Sequence, residues 1–178
     1  MRILKKILVT IIILALIAVA VAYLIPSKVH CERSAVIAAP PEAVFPLVND
    51  LRQWPNWTAW NKERDPTLAV EFPGATEGKG AVYIWKSEKM GSGKLTLTKS
   101  DPQAGVEYDL YFDQEQSPTT GAIKLDKVDN GTKVTWIFDG DMGNNPVMRY
   151  MGLMMDSFLG KDFETGLAKL KTLAEAKK

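Results

Sequence analysis

Nineteen consecutive residues, Ile7 to Ile25, carry side-chain polar atoms only at Thr10 and Tyr23. At about 1.5 Å per residue such a helix spans roughly 28 Å, which matches the hydrocarbon core of a bilayer. This run divides the chain: residues 1–27 are expected to form an N-terminal transmembrane anchor and residues 28–178 a single domain. A second domain does not fit, because ordinary domains already hold roughly 100–150 residues. Arg2, Lys5 and Lys6 precede the run and Lys28 alone follows it closely, so the positive-inside rule expects a cytoplasmic N-terminus and a domain on the periplasmic or extracytoplasmic side. A cleaved signal peptide is the competing reading, since Ala18-Val19-Ala20 and Ala20-Val21-Ala22 resemble cleavage sites. The apolar run exceeds the roughly 7–15 residues of a signal-peptide core, which favours the anchor. Lys28-Val29-His30 before Cys31 lacks the small residues that lipidation requires.

The formal charge of +1 hides an asymmetry. Residues 1–30 hold four of the 22 basic residues and none of the 21 acids, which leaves about −3 on the remainder. With no basic stripe to neutralise phosphates, nucleic acid is not an expected partner. A single cysteine excludes an internal disulfide, so the fold must rest on its apolar core, with intermolecular pairing left open.

Along the domain, Val29 to Ile37 alternates as a strand. Ala38-Ala39-Pro40-Pro41-Glu42 opens a short helix with Val44, Phe45 and Val48 on one face, and Asn49-Asp50 ends it. Leu51 to Trp60 is a tryptophan-rich helical or turn segment. Six strand-like runs follow, at 68–72, 81–88, 94–100, 106–113, 119–127 and 132–139. Pro73-Gly74, Gly91-Ser92-Gly93, Asp101-Pro102, Ser117-Pro118 and Asp129-Asn130-Gly131 separate them as hairpin turns, so an antiparallel meander is the economical topology. Asn144-Asn145-Pro146 then caps a long helix running to about Ala174. Met148, Met151, Met154, Met155, Phe158, Leu159, Phe163, Leu170 and Leu173 fall within one arc of roughly 180°, with Gly152 and Gly166 on the same face. That face must be buried, and the concave side of the sheet is the surface large enough to receive it.

Several segments resemble the START-like, or SRPBCC, superfamily, and most closely its bacterial polyketide cyclase/dehydrase-like members. They are Arg33-Ser34-Ala35-Val36-Ile37-Ala38-Ala39-Pro40-Pro41-Glu42-Ala43-Val44-Phe45, Asp50-Leu51-Arg52-Gln53-Trp54-Pro55-Asn56-Trp57 with Trp60, Gly78-Lys79-Gly80-Ala81, Gly131-Thr132-Lys133-Val134-Thr135-Trp136, and Phe163-Glu164-Thr165-Gly166-Leu167-Ala168-Lys169-Leu170-Lys171. The resemblance spans residues 32–174. It implies an α+β helix-grip fold, a seven-stranded antiparallel sheet wrapped around the long C-terminal helix, with an apolar cavity between them. The N-terminal anchor is not part of that pattern, and no catalytic set carries over.

The chemistry follows from what is present. The only histidine, His30, and the only cysteine, Cys31, lie at the junction of anchor and domain, so neither a His/Cys metal site nor a Ser-His-Asp or Cys-His centre is expected, and no cofactor is called for. Trp54, Trp57 and Trp60 recur every third residue and either pack the core or line a cavity mouth. Met148, Met151, Met154 and Met155 offer adaptable, polarizable side chains that, with Phe158, either fill the core or floor a cavity for a loosely specified apolar ligand. Asp162 falls near the centre of the apolar arc, where it is either exposed by helix curvature or paired with Arg33 or Arg52. It is the acid/base candidate. The expected function is a membrane-anchored, non-enzymatic module that binds a hydrophobic small molecule or lipid. The alternatives are a cyclase/dehydrase-type enzyme using Asp162 or a cavity tyrosine (Tyr83, Tyr108 or Tyr111), and a scaffold for another envelope protein.

Overall fold

Alternation of inward and outward side chains builds one antiparallel sheet. In the computed structural model, which describes residues 2–113 and 118–176, a helix α1 (Arg2–Ala22) precedes strand β1 (Lys28–Ile37). Two short helices follow, α2 (Pro41–Asn49) and α3 (Trp54–Trp57), joined by a 3₁₀ turn at Leu51–Gln53. Strands β2 (Ala69–Glu71), β3 (Val82–Ser87), β4 (Gly91–Asp101), β5 (Gly105–Phe112), β6 (Thr119–Val128) and β7 (Gly131–Asp141) lead to helix α4 (Pro146–Glu175). The sheet order is β1-β7-β6-β5-β4-β3-β2. The last six strands are therefore the expected meander, and β1 closes against β7 in a register from Lys28↔Asp141 to Ile37↔Thr132.

The local chemistry explains most boundaries. Asn145 caps α4, its side-chain oxygen accepting from the backbone N–H groups of Val147 and Met148 with Pro146 in the first turn. Asp50 ends α2, and its carboxylate accepts from the Arg52 N–H at 3.0 Å. One turn shifts from its expected place: the chain reverses at Glu88-Lys89-Met90, and Gly91 and Gly93 belong to β4. The ring of Trp85 lies flat over Gly93, where any side chain would collide with it. A register shift between Leu97 and Lys99 helps the sheet curve.

The fully buried residues of α4 lie from its midpoint onward. Gly160, Phe163, Gly166, Leu167, Leu170 and Ala174 are its buried residues. Two glycines allow the approach: a methyl group at Gly160 would meet the Arg33 guanidinium, and one at Gly166 would sit 2.7 Å from Cζ3 of Trp136. Arg33 pins β1 to α4 through both carboxylate oxygens of Asp156, at 2.8 and 3.0 Å, and through Glu164 at 2.9 Å.

Four carboxylates are held below the usual range by hydrogen bonds, Asp141 chiefly by the Gly143 N–H at 2.8 Å. Donation from the Arg52 guanidinium lowers Asp50, and donation from Arg33 lowers Asp156. Asp65, fully buried, is lowered chiefly by the Ser87 hydroxyl, with the N–H groups of Lys89 at 3.0 Å and Thr67 at 2.9 Å adding to it. A depressed folded-state pKa adds stability above the unfolded-state value, about 3.9 for aspartate, and that stability is lost as pH falls through the folded-state value. The melting temperature should therefore fall progressively below about pH 4. Asp65→Asn should melt lower at neutral pH and show a shallower acid limb in the same thermal scans. An acid limb identical to the parent's would show that Asp65 is not among the groups responsible.

Candidate apolar ligand cavity

Alternate residues of four strands converge on one space beneath α4. β3 contributes Tyr83 and Trp85, β5 contributes Tyr108, Leu110 and Phe112, and β7 contributes Trp136 and Phe138. This is the period-two spacing of side chains on one sheet face. Leu95 of β4 completes that wall, Leu159 and Phe163 of α4 lie across from it, and Trp54, Thr58 and Trp60 close one side. The cavity, partly open to solvent, measures about 160 Å³. An apolar cavity of about 150 Å³ is known to admit benzene, so the space as it stands suits one small ring or a short alkyl chain. No carboxylate, ammonium, guanidinium, imidazole or thiol is among the lining side chains.

Its floor is an aromatic cluster centred on Trp136. That indole stacks on Phe163 with ring centroids 4.1 Å apart and planes 1° apart, and it meets Trp57 at 5.0 Å and Trp60 at 5.8 Å edge-on. The three buried indole N–H groups all donate at 2.8–2.9 Å: Trp54 to the Val48 carbonyl, Trp57 to the Leu47 carbonyl, and Trp136 to the Tyr108 hydroxyl. Burial raises the Tyr108 phenol well above its ordinary value, and it raises Tyr83 to about 12. Both hydroxyls therefore stay protonated at neutral pH and act as hydrogen-bonding groups.

The expected site residues are dispersed. Trp54 and Trp60 line the cavity, while Trp57 is wholly buried core outside it. Met148, Met151, Met154 and Phe158 do not floor the cavity: they are exposed at 37%, 52%, 53% and 62%. Met155 is partly buried against the core without lining the cavity. The reason is geometric. At 100° per residue the ridge through Met151, Met154 and Phe158 points away from Phe163 and from the sheet beneath it, so the broad arc contains two faces with different surroundings. Asp162 takes neither expected partner; it pairs with Arg64 at 2.7 Å on the flank of α4, while Arg33 and Arg52 hold Asp156 and Asp50. Tyr111 points to the outer face, under the Lys94 ammonium at 4.9 Å, and does not line the cavity. Trp85, Phe112, Trp136 and Phe138 were missed as site residues; strand alternation puts Trp85 on the face of Tyr83 and Phe112 on that of Tyr108, whereas Trp136 and Phe138 reach the cavity from β7 through the sheet's curvature.

A curved seven-stranded antiparallel sheet gripping a C-terminal helix, with an apolar cavity between the two, defines the START-like or SRPBCC class of helix-grip proteins. Within that class the chain belongs to the family described as polyketide cyclase / dehydrase and lipid transport, which matches residues 28–175. No curated protein matches in sequence. Among solved structures, the chain is similar to protein NE0264 from Nitrosomonas europaea, with TM-score 0.58 and 12% identity over 84% of this chain and 96% of that one. It is similar to the di-domain ARO/CYC protein StfQ from the steffimycin biosynthetic pathway, with TM-score 0.63 and 12% identity over 84% of this chain and 51% of that one. It is also similar to the Aha1 dimer from Colwellia psychrerythraea, with TM-score 0.52 and 15% identity over 78% of this chain and 97% of that one. At these identities the likeness concerns the fold alone.

Proposed function

We propose that this chain is a membrane-anchored module that binds a hydrophobic small molecule or a lipid chain, without catalysing a reaction on it. The observation that carries the reading is the cavity, lined by aromatic and aliphatic side chains and free of any charged or imidazole group. Ligand sites of this kind draw affinity from apolar burial and use a few polar groups for orientation. Tyr83 is suited to that role, because it lines the cavity and its hydroxyl makes no hydrogen bond among the described residues, whereas that of Tyr108 accepts from Trp136. General acid–base catalysis needs a group whose pKa lies near the working pH, and a phenol raised to about 12 is poorly matched to it. Asp162, outside the cavity and tied to Arg64, is not placed to serve either.

The family description includes lipid transport, which agrees with an apolar cargo. Helix α1 is long and apolar enough to cross a membrane, and we take residues 1–27 as an anchor that holds the domain of residues 28–178 at the bilayer. Arg2, Lys5 and Lys6, in the first turns of α1 ahead of its apolar run, favour a cytoplasmic N-terminus and a domain on the opposite side.

The test is native mass spectrometry of the full chain extracted in mild detergent from its host's membranes. A co-purifying apolar adduct, released on unfolding, is the expected result. A chain that arrives empty and also takes up no small aromatic probe in calorimetry sinks the binding reading.

A further inference from the structure

Helix α4 changes character half-way along. Between Val147 and Phe158 the exposed side chains are Val147, Met148, Tyr150, Met151, Leu153, Met154, Asp156, Ser157 and Phe158, and the charged residues in this stretch are both engaged. Asp156 is held by Arg33, and the Arg149 Nε donates to the Gly143 carbonyl. Beyond Phe158 the outward positions become Lys161, Glu164, Thr165 and Ala168. One face of one helix thus passes from apolar to polar within a single turn.

The apolar half lies directly against the end of α1. The Tyr150 hydroxyl donates to the Ala18 carbonyl at 2.8 Å, and the Arg149 guanidinium donates to the carbonyls of Ile25 at 2.9 Å and Tyr23 at 3.2 Å. The carbonyls of Tyr23 and Ile25 lie past the last turn of α1, and in lipid such acceptors would be costly to leave unpaired. Ala22 is completely buried in the junction. Ala18 lies about 6 Å inside the end of α1 along the helix axis, so any bilayer spanned by α1 reaches the level of Tyr150.

We infer that the exposed apolar face of α4, carried by Val147, Met151, Leu153, Met154 and Phe158, lies in the lipid interface beside the exit of α1 and seats the domain on the bilayer. The inference rests on reading α1 as membrane-spanning. Its occupant is lipid because the patch is continuous with the apolar surface of α1 at a depth that α1 itself sets, and because Tyr150, Tyr23 and Arg149 cluster at the boundary as interfacial residues do. Phe158 adjoins Leu159, which lines the cavity, so the lipid-facing surface and the cavity wall meet within one residue.

The experiment uses the full chain in phosphatidylcholine–phosphatidylglycerol vesicles, with an environment-sensitive fluorophore on single introduced cysteines and lipids brominated near the glycerol end of the acyl chain as quencher. Cys31 is left in place, since it is buried and its thiol is raised to about 11, which keeps it unreactive at neutral pH. Labels at Met151→Cys and Met154→Cys should be quenched to within about twofold of a label at Tyr23→Cys, as expected for an interfacial helix. A label at Asp129→Cys, in the β6–β7 turn at the far end of the sheet from Lys28, should not be quenched. Quenching at Ile12→Cys and Tyr23→Cys without quenching at Met151 and Met154 overturns the seating and leaves the anchor intact, whether the patch then meets water, a second copy or another protein. Absence of quenching at Ile12→Cys in parallel vesicles whose lipids are brominated near the methyl end of the acyl chain overturns the anchor reading and the seating with it.

Discussion

Trp136→Ala should destabilise the domain by about 3–5 kcal/mol, the range for removing a large buried aromatic side chain. For a chain of this size that lowers the melting temperature by roughly 6–20 °C. Trp136 is 1% exposed, stacks on Phe163, meets Trp54, Trp57 and Trp60 edge-on, and donates to Tyr108. Its loss opens the floor of the cavity and leaves the Tyr108 hydroxyl without its donor. Against a total stability of about 5–15 kcal/mol, this one substitution removes a large fraction. Trp136→Phe should lose less, because the stacking surface is kept and only the N–H and part of the ring go. Thermal melts followed by near-ultraviolet circular dichroism separate the cases. A Trp136→Ala protein melting within about 3 °C of the parent would contradict the central place given to this ring.

Leu110→Trp should abolish uptake of small aromatic ligands, lowering affinity by on the order of 100-fold, or about 2.7 kcal/mol. Leu110 is a partly buried cavity residue on β5, registered with Leu95 on β4, so a larger ring there projects into the 160 Å³ space. Overpacking costs about 1–3 kcal/mol where no room exists, and here the cavity absorbs part of the added volume, so the melting temperature should change little. Calorimetry with a toluene-sized probe reads the binding, and a melt on the same sample reads the fold. Retained binding in a well-folded Leu110→Trp protein would place the ligand elsewhere on the molecule.

Much of this architecture was legible before any coordinates. The β1 run, the helix opened by Pro40-Pro41, the six later strands and the Asn145-Pro146 cap of α4 all lie within a few residues of their expected positions. Each is specified by local chemistry: alternation for a half-buried strand, proline in a first turn, an asparagine oxygen on free N–H groups. The cavity was legible only in outline. Trp54 and Trp60 were singled out by their spacing, and Tyr83 and Tyr108 were named as cavity tyrosines only for the alternative enzyme reading. Trp136 and Trp85 were passed over because alternation along a strand says which residues share a face and not which strands face the same point.

The amino-acid sequence alone determined the order of elements and the apolar helix at the N-terminus, because each depends on neighbours a few positions apart. Tertiary structure decided the partners. It placed Arg64 beside Asp162, gave Arg33 to Asp156, closed Trp136 over Phe163, and turned the Met151–Phe158 ridge outward beside α1. A periodic pattern states that a helix has an apolar side, yet what covers that side is set by tertiary packing: the sheet receives the Phe163–Leu170 side of α4, and the Met151–Phe158 ridge faces away from it.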